Sequence, residues 1–154
     1  MMRYRDRDQF QKIENIIINT LNEYGLIASF AKDSTYEDDL WQNITFYMDN
    51  SEYGIVVFEE IDEREFNPNV SLELGYMYAK NKKCLLLKDK RMPKLPTDVC
   101  GKIYRNFDTY NLFTLKNQIV NWCEKDLQFN RKEKVIYDSK LFDKEFNDFW
   151  FFGR

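Results

Sequence analysis

Apolar side chains recur every three or four residues in four segments of the chain, which is the spacing of one face of an α-helix. Gly25 ends the first segment as a typical helix stop. Ser34 and Glu37 precede the second with the spacing of a capping box, and Asn67 and Pro68 begin the third as an N-cap and a first helical residue. The apolar positions of the four segments are Phe10, Ile13, Ile17 and Leu21; Leu40, Ile44 and either Tyr47 or Met48; Val70, Leu74, Met77 and Tyr78; and Leu112, Leu115, Ile119 and Cys123.

Short apolar runs between these segments predict strands. "GIVVFE" at residues 54–59 and "KCLLLK" at 83–88 are apolar throughout their centres, as in strands covered on both faces. "LIASFA" at 26–31 and "IYRNF" at 103–107 are weaker candidates. Helices alternating with strands predict an α/β fold, with a parallel sheet and helices on both faces.

Ligands of such sheets bind beyond the carboxyl ends of the strands. The segment 59–67 follows the best central strand, so we expect it to lie at that edge together with the start of the third helix. Glu73, in that helix, stands between Leu72 and Leu74, close to the face that buries apolar side chains. It is either a solvated helix charge or a carboxylate held at the mouth of a pocket.

Length and charge narrow the class of protein. A chain of 154 residues fits one domain. Its net charge is −3 with both signs interspersed, so no basic stripe favours nucleic acid as a partner. The apolar runs are too short to span a bilayer, and the charged start "MMRYRDRDQF" is unlike a signal peptide. We therefore expect a cytoplasmic protein without a membrane partner.

The inventory of reactive side chains is informative. The chain has 3 cysteines, widely spaced, and 0 histidines, which removes histidine-based triads and argues against a zinc site. No metal is expected. Chemistry would have to rest on carboxylates, hydroxyls, amides or basic side chains, and no glycine-rich dinucleotide or Walker loop is present.

Other polar and aromatic residues near the expected edge are candidates for substrate binding, each with an ordinary structural interpretation. An amide of Asn67 or Asn69 could meet a ribose or phosphate, or it could serve as a helix cap. Asp38 and Asp39 could contact a ribose, or their charges could interact favourably with a helix dipole. The remaining candidates are Trp41, which could stack on a base, Glu59, and Tyr76, for which packing is the alternative.

The segment "FNPNVSLELGYMYAKNKKCLLLKD" resembles the NPNV-x-x-ELG-x-x-x-A segment of bacterial TIR-like (Toll/interleukin-1 receptor) nucleotide-binding proteins. "YRDRDQF", "DDLWQNI", "YGIVVFE" and "LPTDVCGKIYRNFD" are similar to the same group, so the resemblance spans residues 4–122. It extends, more distantly, to nucleoside 2-deoxyribosyltransferases.

The resemblance implies a flavodoxin-like fold for residues 1–128, with 129–154 as an aromatic extension that packs on the domain or on a partner. Active family members cleave the nicotinamide–ribose bond of NAD, several in anti-phage defence, and they often assemble as homo-oligomers. NAD is then the substrate and no cofactor is needed. The family's catalytic glutamate corresponds to Glu73. Other relatives bind nucleotides without turnover, and the transferases move a deoxyribosyl group between bases; both remain alternatives.

One departure from the family concerns the first strand. Members ordinarily begin with a strand that is central in the sheet, whereas only "MMRY" precedes the charged "RDRD" here. The usual first strand is therefore expected to be missing, or to be replaced by residues 134–138 ("KVIYD") or by a partner chain.

Overall fold

The structure of the chain, a computed structural model, describes residues 1–2, 7–31, 39–59, 61, 67–92 and 103–132. None of the helices in this part of the chain is long and apolar enough to cross a membrane. The elements follow in the order α1 (Asp8–Asn22), α2 (Leu40–Asn50), β1 (Tyr53–Phe58), α3 (Pro68–Ala79), β2 (Lys83–Asp89), β3 (Arg105–Phe107) and α4 (Leu112–Asn121), which continues into a π-helical turn (Trp122–Asp126).

The sheet is parallel throughout, in the order β1-β2-β3. Tyr53 pairs with Lys83 and Phe58 with Lys88, so β1 and β2 are in register along the whole of β1. β1, α3 and β2 form a strand–helix–strand unit, in which the crossover helix covers the sheet. The predicted α/β architecture is confirmed, as are the strands predicted at residues 54–59, 83–88 and 103–107.

Both faces of the sheet are covered by helices. On one face, alternate residues such as Val57 and Leu87 pack against α1 and α4. On the other, Val56, Phe58 and Leu86 pack against the inward stripe of α3. Because β1 and β2 are buried on both sides, their sequences show continuous apolar runs instead of alternation. The arrangement is that of a flavodoxin-like fold.

The prediction of a strand at residues 26–31 is wrong. Burial does alternate there with the period of a strand: Leu26, Ala28 and Phe30 are half-buried, whereas Ile27 is 88% exposed. An extended segment becomes a strand only when a neighbour completes its backbone hydrogen bonds. Within the described ranges, no strand runs beside this segment, so it stays an extended loop.

Met1 lies against the edge of β1 that β2 does not use. The backbone N–H of Val57 donates to the Met1 carbonyl at 2.9 Å, and the Met1 amino group donates to the Ile55 carbonyl at 2.9 Å. These two bonds flank Val56, so the Met1 backbone lies where an added parallel strand would pair. The expectation of a missing or replaced strand also depends on residues 3–6 and 134–138. Both ranges lie outside the described residues.

The start of the C-terminal extension packs on the domain. The ring of Phe129 meets that of Tyr53 edge-on, with centroids 6.1 Å apart. The N–H of Lys132 donates to the carbonyl of Glu23 at 2.8 Å, at the end of α1. Residues 133–154, the rest of the predicted extension, lie outside the described residues.

Candidate functional site

A cavity of about 460 Å³ borders the edge of β1 opposite β2, on which Met1 lies. Its volume falls within the range of small-molecule sites, about 300–1,000 Å³. Residues from the helices on both faces of the sheet line this cavity, because the cavity lies at the sheet edge. The residues used below are Glu14 of α1, Tyr47 of α2, Phe30, Tyr53 of β1, and Glu73 and Met77 of α3.

Glu73 lies on the flank of α3 that borders this cavity. Its neighbour Leu74 is 2% exposed in the core, and Met77, one helical turn after Glu73, is 1% exposed. Glu73 itself is half-buried. Burial raises the pKa of its carboxyl group, and attraction to the Met1 amino group offsets part of that rise. Glu73 is therefore partly withdrawn from solvent at the border of the cavity.

Gly54 brings α3 and the sheet close together beside Glu73. A Cβ at this position would lie 2.8 Å from the Cys84 Sγ, 2.8 Å from the Met1 Cε and 3.1 Å from the Met77 Cε. A larger residue would thus displace side chains at the base of the cavity. Burial raises the pKa of the Cys84 thiol to about 11, so this cysteine is a neutral packing group and not a nucleophile.

A second cavity, of about 410 Å³, adjoins the first. The two share Met1, Phe30 and Tyr53 in their linings. The second adds Leu26, from the segment predicted as a strand, and the indole of Trp122. Both cavities thus lie beside the edge of β1 opposite β2.

The predicted N-cap Asn67 is confirmed, and Asp39, predicted only to contact a ribose or to interact with a helix dipole, is a second N-cap. The Asn67 side chain accepts a hydrogen bond from the Asn69 N–H at 3.0 Å, and Pro68 is the first residue of α3. The Asp39 side chain accepts from the Gln42 N–H at 2.9 Å, as the N-cap of α2. Their roles in substrate binding stay predictions. Ser34, Glu37 and Asp38 lie outside the described residues.

The aromatic candidates contact one another between α2 and α3. The rings of Trp41 and Tyr76 meet edge-on with centroids 6.0 Å apart. The Tyr76 hydroxyl donates to the Asp49 carboxylate at 3.1 Å. Neither ring is among the described residues that line the cavity with Glu73. Their binding roles also stay predictions.

Glu59 follows β1 at the carboxyl end of the sheet and is 5% exposed. One of its carboxylate oxygens accepts from the Ile61 N–H at 2.7 Å. This contact fixes the start of the loop that the sequence places at a ligand site. Most of that loop, residues 60 and 62–66, lies outside the described residues.

Basic side chains at the end of β2 and just after it are engaged within the protein. Arg91 forms a bidentate ion pair with Asp89, with its Nη2 2.6 Å from the carboxylate. Lys90 pairs with Asp108 at 2.7 Å. The Lys88 ammonium donates to the Met92 carbonyl at 2.5 Å. This end of the sheet is thus occupied by internal ion pairs that a bound phosphate would have to replace.

Sequence reasoning selected Glu73 but not the residues that surround it. Glu14, Phe30, Tyr47 and Tyr53 come from four separate segments. In the sequence, these four residues are marked only by their positions beside an apolar face. Many other residues of the chain have such positions. No family model, curated protein or solved structure matches the chain.

Proposed function

We propose that the chain is a TIR-like NAD glycohydrolase, in which Glu73 is the essential carboxylate. The reaction breaks the bond between nicotinamide and ribose, and the product is ADP-ribose or a cyclised form of it. NAD is the substrate in this scheme, and the protein needs no separate cofactor.

The position of Glu73 is the observation that carries the proposal. The carboxyl group is half-buried, its pKa is raised because of that burial, and it borders a cavity of ligand size. A carboxylate with a perturbed pKa in a cleft is a mark of functional sites. Its place in the "NPNVSLELG" segment is the place of the catalytic glutamate in the TIR-like group.

The chemistry suits a chain with 0 histidines. Nicotinamide departs from a cationic pyridinium, so the leaving group needs no proton and the enzyme needs no general acid. Positive charge develops on the ribose as the bond breaks, and a nearby carboxylate stabilises it. The Glu73 carboxylate can supply the negative charge that stabilises the ribose, or it can attack the anomeric carbon and form a covalent intermediate.

The surrounding side chains suit a flat ring. Phe30, Tyr47 and Tyr53 contribute aromatic surface to the cavity, and Leu40 and Met48 contribute apolar surface. Sites for small molecules are largely apolar, with a few polar groups that fix orientation. A nicotinamide ring would pack on this surface while its ribose faces Glu73.

A module that binds a nucleotide without turnover is the second candidate. The predominance of apolar side chains in the cavity favours it, because such a lining supports binding without any chemistry. Transfer of a deoxyribosyl group to a second base is the third. The resemblance to TIR-like proteins also supports a cytoplasmic homo-oligomer that acts in anti-phage defence, and these attributes belong to the proposal.

Nicotinamide release from NAD tests the function. The purified chain, at high concentration, is incubated with NAD beside Glu73→Gln and the control Glu124→Gln, whose exposed carboxylate lines neither cavity. We expect release by the wild type and by Glu124→Gln, and its loss in Glu73→Gln. Nicotinamide release that survives in Glu73→Gln would remove Glu73 from the mechanism. An NAD-induced rise in the melting temperature without release would favour the binding module, and exchange of bases between nucleosides would favour the transferase.

A further inference from the structure

Tyr53, at the start of β1, lines both cavities. Its half-buried ring meets two other rings edge-on, that of Trp122 with centroids 5.9 Å apart and that of Phe129 with centroids 6.1 Å apart. Such contacts are favourable because the positive edge of one ring meets the negative face of another. The two neighbouring rings therefore fix the position of a side chain in the wall of the site.

The hydroxyl end of Tyr53 is also held. It donates a hydrogen bond to the Glu52 carboxylate, and this bond, together with burial, raises the pKa of Tyr53. A ring that is held at its edge by other rings and at its hydroxyl group by a carboxylate has little freedom to rotate. The contacts of Tyr53 thus determine the shape of the cavity wall.

Phe129 belongs to residues 127–132, the segment after the π-helical turn, which we call the strap. Gln128 has a φ of 60°, in the left-handed region, so the chain turns away from the helix axis at this residue. The N–H of Phe129 then donates to the Cys123 carbonyl at 2.9 Å. This turn and this bond bring Phe129 back over the helix end, where its ring reaches Tyr53.

The far end of the strap is attached to the end of α1. The N–H of Lys132 donates to the Glu23 carbonyl at 2.8 Å, and the Arg131 Nε donates to the Tyr24 hydroxyl at 2.8 Å. The Lys132 side chain lies so close to Gly25 that a Cβ there would overlap its Cε. Because the strap is attached on both sides of Phe129, the Phe129 ring is kept against Tyr53.

We propose that the strap is a positioning element of the site, in which Phe129 holds the Tyr53 ring in the cavity wall and thereby sets the affinity for NAD. Phe129 is not among the described residues that line either cavity, so it acts through Tyr53. The inference rests on the proposed function for the identity of the ligand. A strap that served only the stability of the fold would leave the affinity of the folded protein for NAD unchanged.

The test compares the wild type with Phe129→Ala, and measures the dissociation constant of NAD by calorimetry and the KM and kcat of nicotinamide release. We expect the dissociation constant and KM to rise about two- to tenfold, the range that one aromatic pair contributes. The value of kcat should stay within about twofold, because Phe129 lies outside the described lining that contains Glu73.

Three further variants make the comparison specific. Phe129→Tyr keeps the ring and should bind NAD as the wild type does. Phe129→Leu keeps apolar bulk without the ring, so it should weaken binding, and it replaces Phe129→Ala if that variant does not fold. Phe113→Ala removes a ring of α4 that is 68% exposed and should leave both KM and kcat unchanged.

The outcomes separate this inference from the proposed function. Weaker NAD binding in Phe129→Ala, without nicotinamide release by any of the proteins, would sustain the inference and reject the glycohydrolase. Release with an unchanged dissociation constant and KM in Phe129→Ala would sustain the glycohydrolase and overturn the inference. A fall in kcat alone would also overturn it, and a wild type that binds no NAD would overturn both.

Discussion

The ammonium group of Lys82 donates a hydrogen bond to the carbonyl oxygen of Met48 at 2.6 Å. It also donates to the carbonyls of Asp49 at 2.6 Å and Ser51 at 2.5 Å. These carbonyls lie at the C-terminal end of α2, where helix carbonyls lack partners and the dipole favours a cation. One side chain from the turn after α3 thus fixes the helix that carries Tyr47 to the cavity.

Lys82→Met tests this cap. Methionine keeps the length of the side chain and removes the three donors, so we expect the free energy of unfolding to fall by about 1–2 kcal/mol. Urea titration measures the change. Lys83→Met, at an exposed neighbouring position, is the matched control and should stay within about 0.5 kcal/mol of the wild type. Equal stability of the two variants would show that the Lys82 contacts contribute nothing.

Gly54→Ala tests the close packing at the base of the cavity. The new methyl group meets the Sγ of Cys84, its partner in the β1–β2 register, so we expect a loss of about 1–3 kcal/mol. Cys84→Ala frees that space. The loss of unfolding free energy in the double variant should therefore be smaller than the sum of the losses in the two single variants, by about 0.5–3 kcal/mol. Simple additivity in urea titrations would contradict the contact.

Asp89→Asn tests the ion pair that the buried Asp89 forms at the end of β2. Asp89 is 0% exposed and accepts from the Arg91 backbone N–H at 3.0 Å, from the Arg91 guanidinium and from the Thr109 hydroxyl. Loss of the charge should lower the free energy of unfolding by about 2–3 kcal/mol. Asp126→Asn breaks a more exposed pair with Arg105 and should cost about 0.5 kcal/mol. Thermal denaturation that ranks the two in the opposite order would refute this assignment.

Glu73→Gln should stabilise the protein at neutral pH. Because the folded-state pKa of Glu73 is raised, ionisation costs stability, and the cost grows as pH rises from the ordinary value of 4.5 through the raised one. The gain in melting temperature should therefore be present at pH 7 and should vanish below about pH 4.5. A destabilised Glu73→Gln at pH 7 would mean that the carboxylate supports the fold.

Strands β1 and β2 and the helices were predictable because local burial determines their sequences. β1 and β2 are covered on both faces and read as apolar runs, and α3 begins at Asn67 and Pro68, where its cap is visible in the sequence. Residues 26–31 show where this reasoning fails. Their pattern has the period of a strand, but the formation of a ladder depends on a neighbour that the local pattern does not reveal.

The composition of the site was less predictable for a related reason. Glu73 stood out because it lies close to the apolar face of its helix, whereas Glu14 and Tyr47 become neighbours of the cavity only through the packing of α1 and α2 around the sheet edge. Lys82 likewise reads as one charge in a basic turn, although it closes a helix more than thirty residues earlier in the chain. Contacts of this range depend on tertiary structure.

The most direct test of the central claim follows NAD binding and turnover together in the wild type and in Glu73→Gln. The melting temperature reports binding, and nicotinamide release reports turnover. The account predicts that NAD raises the melting temperature of both proteins and that only the wild type releases nicotinamide. Equal release by the two proteins would contradict the assignment of Glu73 as the essential carboxylate.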